Sequence, residues 1–271
     1  MPELPEVETT RRGLAPLVVG RTIERLDVRE PRLRWPVAPG IADGVAGQRV
    51  SAVRRRAKYL LFETGAGTLL VHLGMSGGLR FHGEHAPPPG VHDHFDVRFA
   101  GGACLRFHDP RRFGSLHLCL EPERHPLLAS IGPEPLAPDF TPEYLAGACR
   151  GRRVAIKQLL MNSRVVAGVG NIYANEALYR AGVHPLRAAG RIARPRFRGL
   201  VDGVRGVLSD AIERGGTTLR DFAGSDGRPG YFQLDLDVYD RAGKPCRRCG
   251  EPIRARTIGQ RSTYYCARCQ R

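Results

Sequence analysis

A proline and a glutamate at the start of the chain, Pro2 and Glu3, have the clearest chemical potential. Met1 precedes a small residue, so we expect an aminopeptidase to remove it and to leave Pro2 as a secondary amine. Because an α-amino group titrates near ~7.7–8.0, much of it is free base at neutral pH. Such an amine can attack a carbonyl carbon to give an iminium, and Glu3 can transfer protons beside it. Proline and acidic residues also suit the first turn of an ordinary helix, so this stretch alone leaves catalysis and plain structure both open.

Four cysteines near the C-terminus have the spacing of a metal site. Cys246 and Cys249 form one Cys-x2-Cys pair, and Cys266 and Cys269 form a second. Two such pairs at this separation predict a tetrahedral four-cysteine zinc site with no open position for catalysis. So short a segment cannot bury a core by itself, so we expect metal binding to fold it. Cys104, Cys119 and Cys149 are isolated. The pairing of the other four and the absence of an export signal argue against a disulfide framework and for a reducing compartment.

A basic run over residues 54–58 and a glycine-rich turn both suit phosphate binding. The basic run enters an apolar strand, and strand alternation would place Lys58 on a polar face, opposite Tyr59. The turn places two glycines just before Asn171, where the backbone amides at the start of a helix can bind a phosphate. An ordinary capped helix would have the same sequence, so both interpretations stand on local grounds.

Two predicted loops between strands carry side chains that could enter a base stack. One contains Met75, and the other contains Arg111 and Phe113. A planar arginine fork and an aromatic wedge are suited to filling a gap left in a duplex. Core packing is the alternative for Met75 and Phe113.

The composition indicates a polyanionic partner. The 271 residues, 42% of them hydrophobic, suffice for one large domain or two ordinary ones, and the net charge of +15 favours nucleic acid. A preference for arginine explains the scarcity of lysine but not the excess of base over acid. Lysine is found only at Lys58, Lys157 and Lys244, which makes Lys157 a further candidate DNA contact.

The residue pattern changes from strands to helices along the chain. A helix is predicted over residues 4–18, and short strands between Gly, Pro and Asp turns are predicted at 49–54, 59–63, 68–73, 95–99 and 103–107. Residues 83–91 are an irregular loop, and the proline-rich residues 133–140 are a linker. Helices are then predicted at 141–149, 154–161, 171–182 and 195–214, with a Gly-rich loop over 217–235 and a small module over 236–271.

These motifs together are similar to those of the formamidopyrimidine-DNA glycosylase family, which removes oxidised purines from DNA. The matching segments run the length of the chain, at residues 2–9, 55–61, 72–77, 109–114, 168–174 and the zinc finger. The resemblance implies an α+β protein of two domains with DNA in the cleft between them. An N-terminal catalytic β-sandwich flanked by helices would span 1–132. After the linker, a helix–two-turn–helix domain would span 141–235, with a four-cysteine zinc-finger β-hairpin over 236–271.

The resemblance also implies a mechanism. Pro2 would attack C1′ of the damaged nucleotide and expel the base, and Glu3 would assist by proton transfer. Elimination of the 3′ phosphate and then of the 5′ phosphate would leave a one-nucleotide gap. Lys58 and Arg261 match the residues that supply the protons for the two eliminations, although an arginine is always protonated and we favour Arg261 as a phosphate clamp.

Further DNA contacts implied by the resemblance fill the void left by the flipped base or hold phosphates. The void-filling residues are Met75, Arg111 and Phe113, and the backbone contacts are His72, His92, Arg152 and Asn171. By the family pattern Arg111 contacts the orphaned cytosine. Thr217, in a lesion-recognition loop over about 217–232, is our candidate for the backbone carbonyl that accepts the N7 hydrogen of 8-oxoguanine.

Two rival interpretations explain less of the sequence. The sister family, endonuclease VIII, prefers oxidised pyrimidines, but its members usually begin Pro-Glu-Gly-Pro-Glu, where this chain has Leu4, and they lack the Arg-Arg-Phe of residues 111–113. A non-catalytic zinc-ribbon DNA-binding protein would explain the charge and the cysteines, but not Pro2 and Glu3.

We therefore expect a monomeric base-excision-repair enzyme that acts on damaged double-stranded DNA. It would hold one structural Zn²⁺ and no redox or nucleotide cofactor. No apolar run approaches the ~20 residues of a membrane span, and the acidic N-terminus does not resemble a signal peptide. These features predict no membrane association and a bacterial cytoplasmic location, with the protein associated with the nucleoid through DNA.

Overall fold

The structure, a computed structural model, describes residues 2–215 and 236–271. These residues form two compact units. The first extends to Ala129, and the second runs from Ser130 to Arg214 and includes the residues from 236 onward. No helix in these described ranges combines the length and the apolar character needed to cross a membrane.

In its described part, the first unit contains two antiparallel four-stranded sheets and two helices. The elements are α1 (Leu4–Val18), β1 (Ile23–Val28), α2 (Ile41–Val45), β2 (Val50–Arg56), β3 (Tyr59–Thr64), β4 (Gly67–His72), β5 (Gly78–His82), β6 (Asp93–Phe99), β7 (Cys104–His108) and β8 (Ser115–Cys119). One sheet has the strand order β1-β6-β7-β5, and the other has the order β2-β3-β4-β8. The chain therefore crosses between the sheets three times, from β1 to β2, from β4 to β5 and from β7 to β8.

Both sheets contribute to one hydrophobic core, as expected for strands whose side chains alternate between two faces. Phe62 of one sheet is 4% exposed, and Phe95 and Phe107 of the other are 1% and 0% exposed. The rings of Phe95 and Phe107 stack with centroids 4.8 Å apart. Helix α1 adds Val7 and Leu14 to the same core, which fixes the start of the chain against the sandwich.

The second unit is helical before its C-terminal hairpin. It contains α3 (Pro142–Cys149), α4 (Ile156–Leu160), α5 (Asn171–Arg180), α6 (Arg196–Glu213), β9 (Arg254–Ile258) and β10 (Arg261–Tyr265). Helix α3 begins as predicted, because Thr141 Oγ1 accepts the Tyr144 N–H at 3.1 Å and Pro142 follows the cap. Leu200 and Val204 of α6 are fully buried, and this helix packs against α5.

The segment predicted as a linker is packed within the second unit. Arg205 of α6 donates to the carbonyl oxygens of Pro135, Ala137 and Phe140 at 3.2, 2.9 and 3.0 Å. Phe140 is fully buried. The prolines of this segment indicated an irregular backbone. The Arg205 guanidinium supplies hydrogen bonds to its carbonyl groups and holds the segment against the helix.

A buried glutamate connects helix α5 to the C-terminal module. Glu176 is 4% exposed, and its carboxylate accepts the backbone N–H groups of Asp237, Val238 and Tyr239 at 2.8, 2.9 and 2.8 Å. Burial raises the pKa of Glu176, although the three N–H donors favour its charged form. The chain thus enters the cysteine-containing module at a fixed position on α5.

Candidate active site and nucleic-acid interface

The start of helix α1 holds Pro2 and Glu3 in a buried setting. Pro2 is buried and Glu3 is 2% exposed. Glu3 and Glu6 form a capping box, in which the Glu3 N–H donates to Glu6 Oε2 at 2.8 Å. This reciprocal arrangement both begins the helix and fixes the carboxyl next to Pro2, so the structural and the catalytic interpretations of this stretch are compatible.

Lys58 lies in the turn that joins β2 to β3, so strand alternation, which we used to predict its face, does not apply to it. Ala57, the other residue of this turn, has a left-handed φ of 52°. Arg55 Nη1 donates to the Ala57 carbonyl at 2.9 Å, and Arg55 Nε lies 3.2 Å from Glu8 Oε2 of α1. The turn that presents Lys58 is therefore held to the helix that presents Pro2.

His72 ends strand β4 as a neutral hydrogen-bond donor. Burial, with the nearby charges of Lys58 and Arg34, lowers its pKa to about 4. Its Nδ1 accepts the Gly74 N–H at 3.0 Å, so the proton of the neutral ring is on Nε2. His72 can therefore offer a phosphate one N–H donor but no positive charge at neutral pH.

The void-filling candidates lie on two of the loops that cross between the sheets, the β4–β5 loop and the β7–β8 loop. Met75 and Phe113 are half-buried and lie outside the described core of this unit, which argues against the core-packing alternative. Arg111 is exposed, and its Cζ lies 4.7 Å from the centroid of the Phe113 ring. The Arg111 guanidinium and the Phe113 ring are therefore adjacent, as their predicted role in filling one gap in the duplex requires.

His92 packs edge-on against His108, with ring centroids 5.8 Å apart. The His108 Nδ1 is 2.8 Å from Asp93 Oδ1. A neighbouring carboxylate therefore holds the ring against which His92 packs. His92 itself is half-buried, so part of its ring faces solvent.

Asn171 is the first residue of helix α5, as predicted. Gly170 is the N-cap, and Gly168 has a φ of 73°, which favours glycine. Asn171 Oδ1 is buried and has no hydrogen-bond partner among the described residues. A buried polar group of this kind at a helix N-terminus is suited to completion by a ligand.

Lys157 does not present its charge to solvent, which argues against its predicted role as a DNA contact. Its side chain is 1% exposed, and Nζ donates to Ser262 O at 2.8 Å and to Thr263 Oγ1 at 2.6 Å. Scarcity of lysine identified a residue with a specific role, but that role is to hold strand β10.

Arg261, the first residue of this strand, is exposed, and Gln260 in the turn before it has a left-handed φ of 61°.

The four cysteines converge on one point. Their sulfur atoms all lie within 4.8 Å of one another, with Cys246 Sγ 3.9 Å from Cys269 Sγ and Cys249 Sγ 3.5 Å from Cys266 Sγ. A tetrahedral ion with Zn–S bonds of ~2.3 Å separates its sulfur ligands by about 3.8 Å, so the cluster fits one structural Zn²⁺. The Tyr179 hydroxyl lies 3.2 Å from Cys246 Sγ and can support the thiolate from outside the cluster.

Two further predicted contacts are less constrained. Arg152 is exposed between α3 and α4. Thr217 and the rest of the predicted lesion-recognition loop lie outside the described residues.

Family models match three segments of the chain. The formamidopyrimidine-DNA glycosylase N-terminal domain matches residues 1–116, the formamidopyrimidine-DNA glycosylase H2TH domain matches 131–223, and a zinc finger found in FPG and IleRS matches 243–271.

Relatives and solved structures match over almost the whole chain. Proteins named formamidopyrimidine-DNA glycosylase from Alkalilimnicola ehrlichii and Methylococcus capsulatus are 60% and 58% identical, with all of both chains covered. The crystal structure of the MutM (Fpg) protein from Thermus thermophilus superposes with a TM-score of 0.89 at 41% identity, covering 99% of this chain and 98% of that one. The Lactococcus lactis Fpg in complex with abasic-site DNA gives a TM-score of 0.91 at 34% identity, with both chains fully covered.

The fold and the cysteine cluster thus define a zinc-finger DNA glycosylase. The chain belongs to the formamidopyrimidine-DNA glycosylase family, and the resemblance seen in its motifs is confirmed. The predicted fold class, the base-excision-repair function and the single structural zinc are confirmed with it.

Several residues that organise the site were not evident from the sequence. Asp109, Glu8 and Asn175 are buried or nearly so. Each accepts a hydrogen bond from a residue that is distant in the sequence: Asp109 from the Ser76 hydroxyl, Glu8 from Arg55, and Asn175 from the backbone N–H of Tyr264 in β10. Among these three, only Asp109 could have been found from the sequence, because an Asp-Pro pair at the start of a loop favours a turn supported by the aspartate side chain.

Proposed function

We propose that this protein is a bifunctional DNA glycosylase and AP lyase that excises 8-oxoguanine and formamidopyrimidines from duplex DNA. The Pro2 amine attacks C1′ as the glycosidic bond breaks, and the base leaves with a proton. The resulting iminium makes the C2′ proton acidic, so its removal expels the 3′ phosphate. A second elimination expels the 5′ phosphate and leaves a one-nucleotide gap.

The burial of Glu3 beside Pro2 carries this proposal. The Glu3 carboxyl is 2% exposed, and the capping box fixes its position next to the amine. Proton transfer by a positioned acid is what opening of the sugar and loss of the base require. Pro2 has a free amine only after removal of Met1, so the proposal includes that processing step.

Each of the other candidates takes the role that its surroundings support. Lys58, at the tip of a braced turn, donates the proton in the first elimination, and the exposed Arg261 clamps a phosphate during the second. His72, His92, Arg152 and Asn171 contact the DNA backbone, and Met75, Arg111 and Phe113 fill the space of the flipped nucleotide. We retain Thr217 as the lesion-recognition carbonyl.

The zinc ion would supply structure and no chemistry. Cys246, Cys249, Cys266 and Cys269 would hold the ion, which when bound orders the hairpin that presents Arg261. We further propose a catalytic domain over 1–132 and a helix–two-turn–helix domain over 141–235, and a monomer in the bacterial cytoplasm, associated with the nucleoid through DNA.

Borohydride trapping on duplex DNA with one 8-oxoguanine opposite cytosine tests the proposal. Intact mass should first verify that the protein begins at Pro2. We expect a covalent adduct that peptide mapping places on Pro2, and we expect Pro2→Gly to lose lyase activity while it keeps DNA binding.

The same assay distinguishes the alternatives. An adduct formed only with oxidised pyrimidines would contradict the substrate class. Zinc-loaded protein of verified N-terminus that binds DNA tightly but forms no adduct would contradict the chemistry.

A further inference from the structure

The two loops that carry the void-filling candidates lie side by side. Residues 73–77 connect β4 to β5, and residues 109–114 connect β7 to β8. Strand pairing brackets both loops, since His72 pairs with Ser115 and Gly78 pairs with His108. The backbones are in close contact between these pairs, because a Cβ on Gly74 would lie 2.5 Å from the backbone N of Gly114.

One buried carboxylate bonds to both loops. Asp109 is 0% exposed. Its Oδ1 accepts the Ser76 hydroxyl at 2.7 Å and the Arg111 N–H at 3.2 Å, and its Oδ2 accepts the Gly114 N–H at 2.8 Å. Ser76 follows Met75 directly, and Arg111 and Gly114 flank Arg112 and Phe113 in the second loop. A charge-assisted bond in a buried position is stronger than a neutral one at the surface.

The second loop also depends on a strained residue. Arg112 has a left-handed φ of 55°, and its N–H donates to the Asp109 carbonyl at 3.2 Å. This reversal places the side chains of Arg111 and Phe113 against each other. A non-glycine residue keeps such a conformation when its surroundings hold it there.

We propose that Ser76 and Asp109 are positioning residues that make Met75, Arg111 and Phe113 enter the duplex as one unit. This inference rests on the proposed function and deepens it. Because Arg111 is the candidate contact to the base opposite the lesion, the Ser76–Asp109 hydrogen bond controls discrimination between opposite bases. Neither Ser76 nor Asp109 touches the reacting atoms.

The Ser76→Ala variant tests the inference, because it removes the hydrogen bond between the loops and leaves the two that the Arg111 and Gly114 N–H groups donate to Asp109. Single-turnover rates should be measured on 8-oxoguanine opposite cytosine, on 8-oxoguanine opposite adenine and on a preformed abasic site. We expect excision opposite cytosine to fall about tenfold, the size of effect that one charge-assisted hydrogen bond supports. The preference for cytosine over adenine should fall with it. Cleavage of the abasic site, which has no base to unstack, should change less than about threefold.

Two further variants serve as controls. Ser76→Thr keeps the hydroxyl and should restore most of the rate and the preference. Ser51→Ala removes a serine hydroxyl that bonds to the Glu63 carbonyl at 3.2 Å, within a sheet and away from these loops, and should leave all three rates unchanged. Melting temperatures of the three variants should be compared to exclude general loss of fold.

The outcomes separate this inference from the proposed function. Equal losses on all three substrates, an unchanged opposite-base preference or no recovery in Ser76→Thr would overturn the positioning role while leaving the enzyme intact. A wild-type protein that excises no 8-oxoguanine would overturn the proposed function, and the role of Ser76 and Asp109 in excision with it.

Discussion

At the scale of single residues, the environment of a side chain decides what it can contribute more than its type does. A histidine at a phosphate contact is expected to act as a cation, yet His72 lies where burial and the charges of Lys58 and Arg34 oppose protonation. A similar reason argues against the prediction that Lys157 contacts DNA, because that residue is buried against β10. Sequence identifies the residue, but its charge state and its exposure depend on neighbours that are distant in the sequence.

The depressed pKa of His72 predicts a specific dependence of stability on pH. Its pKa is about 4 when folded and near 6.5 when unfolded, so the unfolded state binds the extra proton between these values. The stabilisation is complete above about pH 6.5 and is lost as pH falls toward 4, by up to about 3 kcal/mol. Urea denaturation at pH 7, 6 and 5 should therefore give a shallower decline for His72→Gln than for the wild type.

Other histidines with lowered pKa values contribute in the same direction, so the difference between variant and wild type is the informative quantity. His85→Gln, a change at an exposed position, is the matched control and should leave the slope unaltered. Parallel curves for His72→Gln and the wild type would mean that His72 is protonated as readily in the folded protein as in the unfolded chain.

At the scale of elements, periodicity predicted the long elements and tertiary contacts determined the short ones. Helix α1 was predicted with its observed bounds, and α3 with its cap. Strand β1 was not singled out, because three of its six side chains are charged, its apolar residues do not alternate strictly, and it lies at a sheet edge. The five-residue helix α2 has too few turns for a periodic pattern, and its buried Ile41 and Val45 are fixed by the core.

Two glycines of helix α6 predict opposite effects of the same substitution. Gly199 is exposed, and an added Cβ would meet nothing within 4 Å, so Gly199→Ala should stabilise the protein by about 0.5–1 kcal/mol through helix propensity. At Gly203 the Cβ would lie 2.8 Å from the Ala177 carbonyl of α5, so Gly203→Ala should force the helices apart and cost about 1–3 kcal/mol. Denaturant unfolding of the two variants measures both. Stabilisation by Gly203→Ala would show that the two helices do not approach this closely.

The attachment of the C-terminal hairpin to α4 predicts how Lys157 affects DNA binding. Lys157→Met removes two hydrogen bonds to β10 and leaves buried acceptors unsatisfied, at a cost of about 1–3 kcal/mol to hairpin attachment. DNA affinity should fall, but the slope of log K against log salt should stay the same, because no phosphate contact is lost. Arg261→Met should instead lower that slope by about 0.9, the value for one phosphate. A reduced slope in Lys157→Met would return this residue to the DNA contacts.

At the scale of the whole molecule, the sequence predicted the partner and the family better than it predicted the arrangement. The net charge of +15 indicated a polyanion, and ordered motifs along the entire chain indicated the family. Composition could not show that residues 133–140 pack on α6, because a single arginine far along the chain, Arg205, holds them. Long-range contacts of this kind leave no local pattern in the sequence.

The division into two units predicts that zinc removal acts locally. The sandwich has its own core of two sheets and α1, whereas the residues after 236 have four cysteines, a short hairpin and a small cluster of buried side chains around Val238 and Ile253. Since so small a core cannot sustain its fold alone, chelation should unfold this module and release Arg261 from its position. Hydrogen exchange should then increase in β9, β10 and residues 237–239, which Glu176 binds, while β3 and β4 stay protected. DNA binding should be lost on chelation and recovered on addition of Zn²⁺.

Increased exchange throughout the sandwich would show instead that the two units fold as one. Protection of the hairpin without metal would show that its contacts with Lys157 and Asn175 are sufficient to keep it folded.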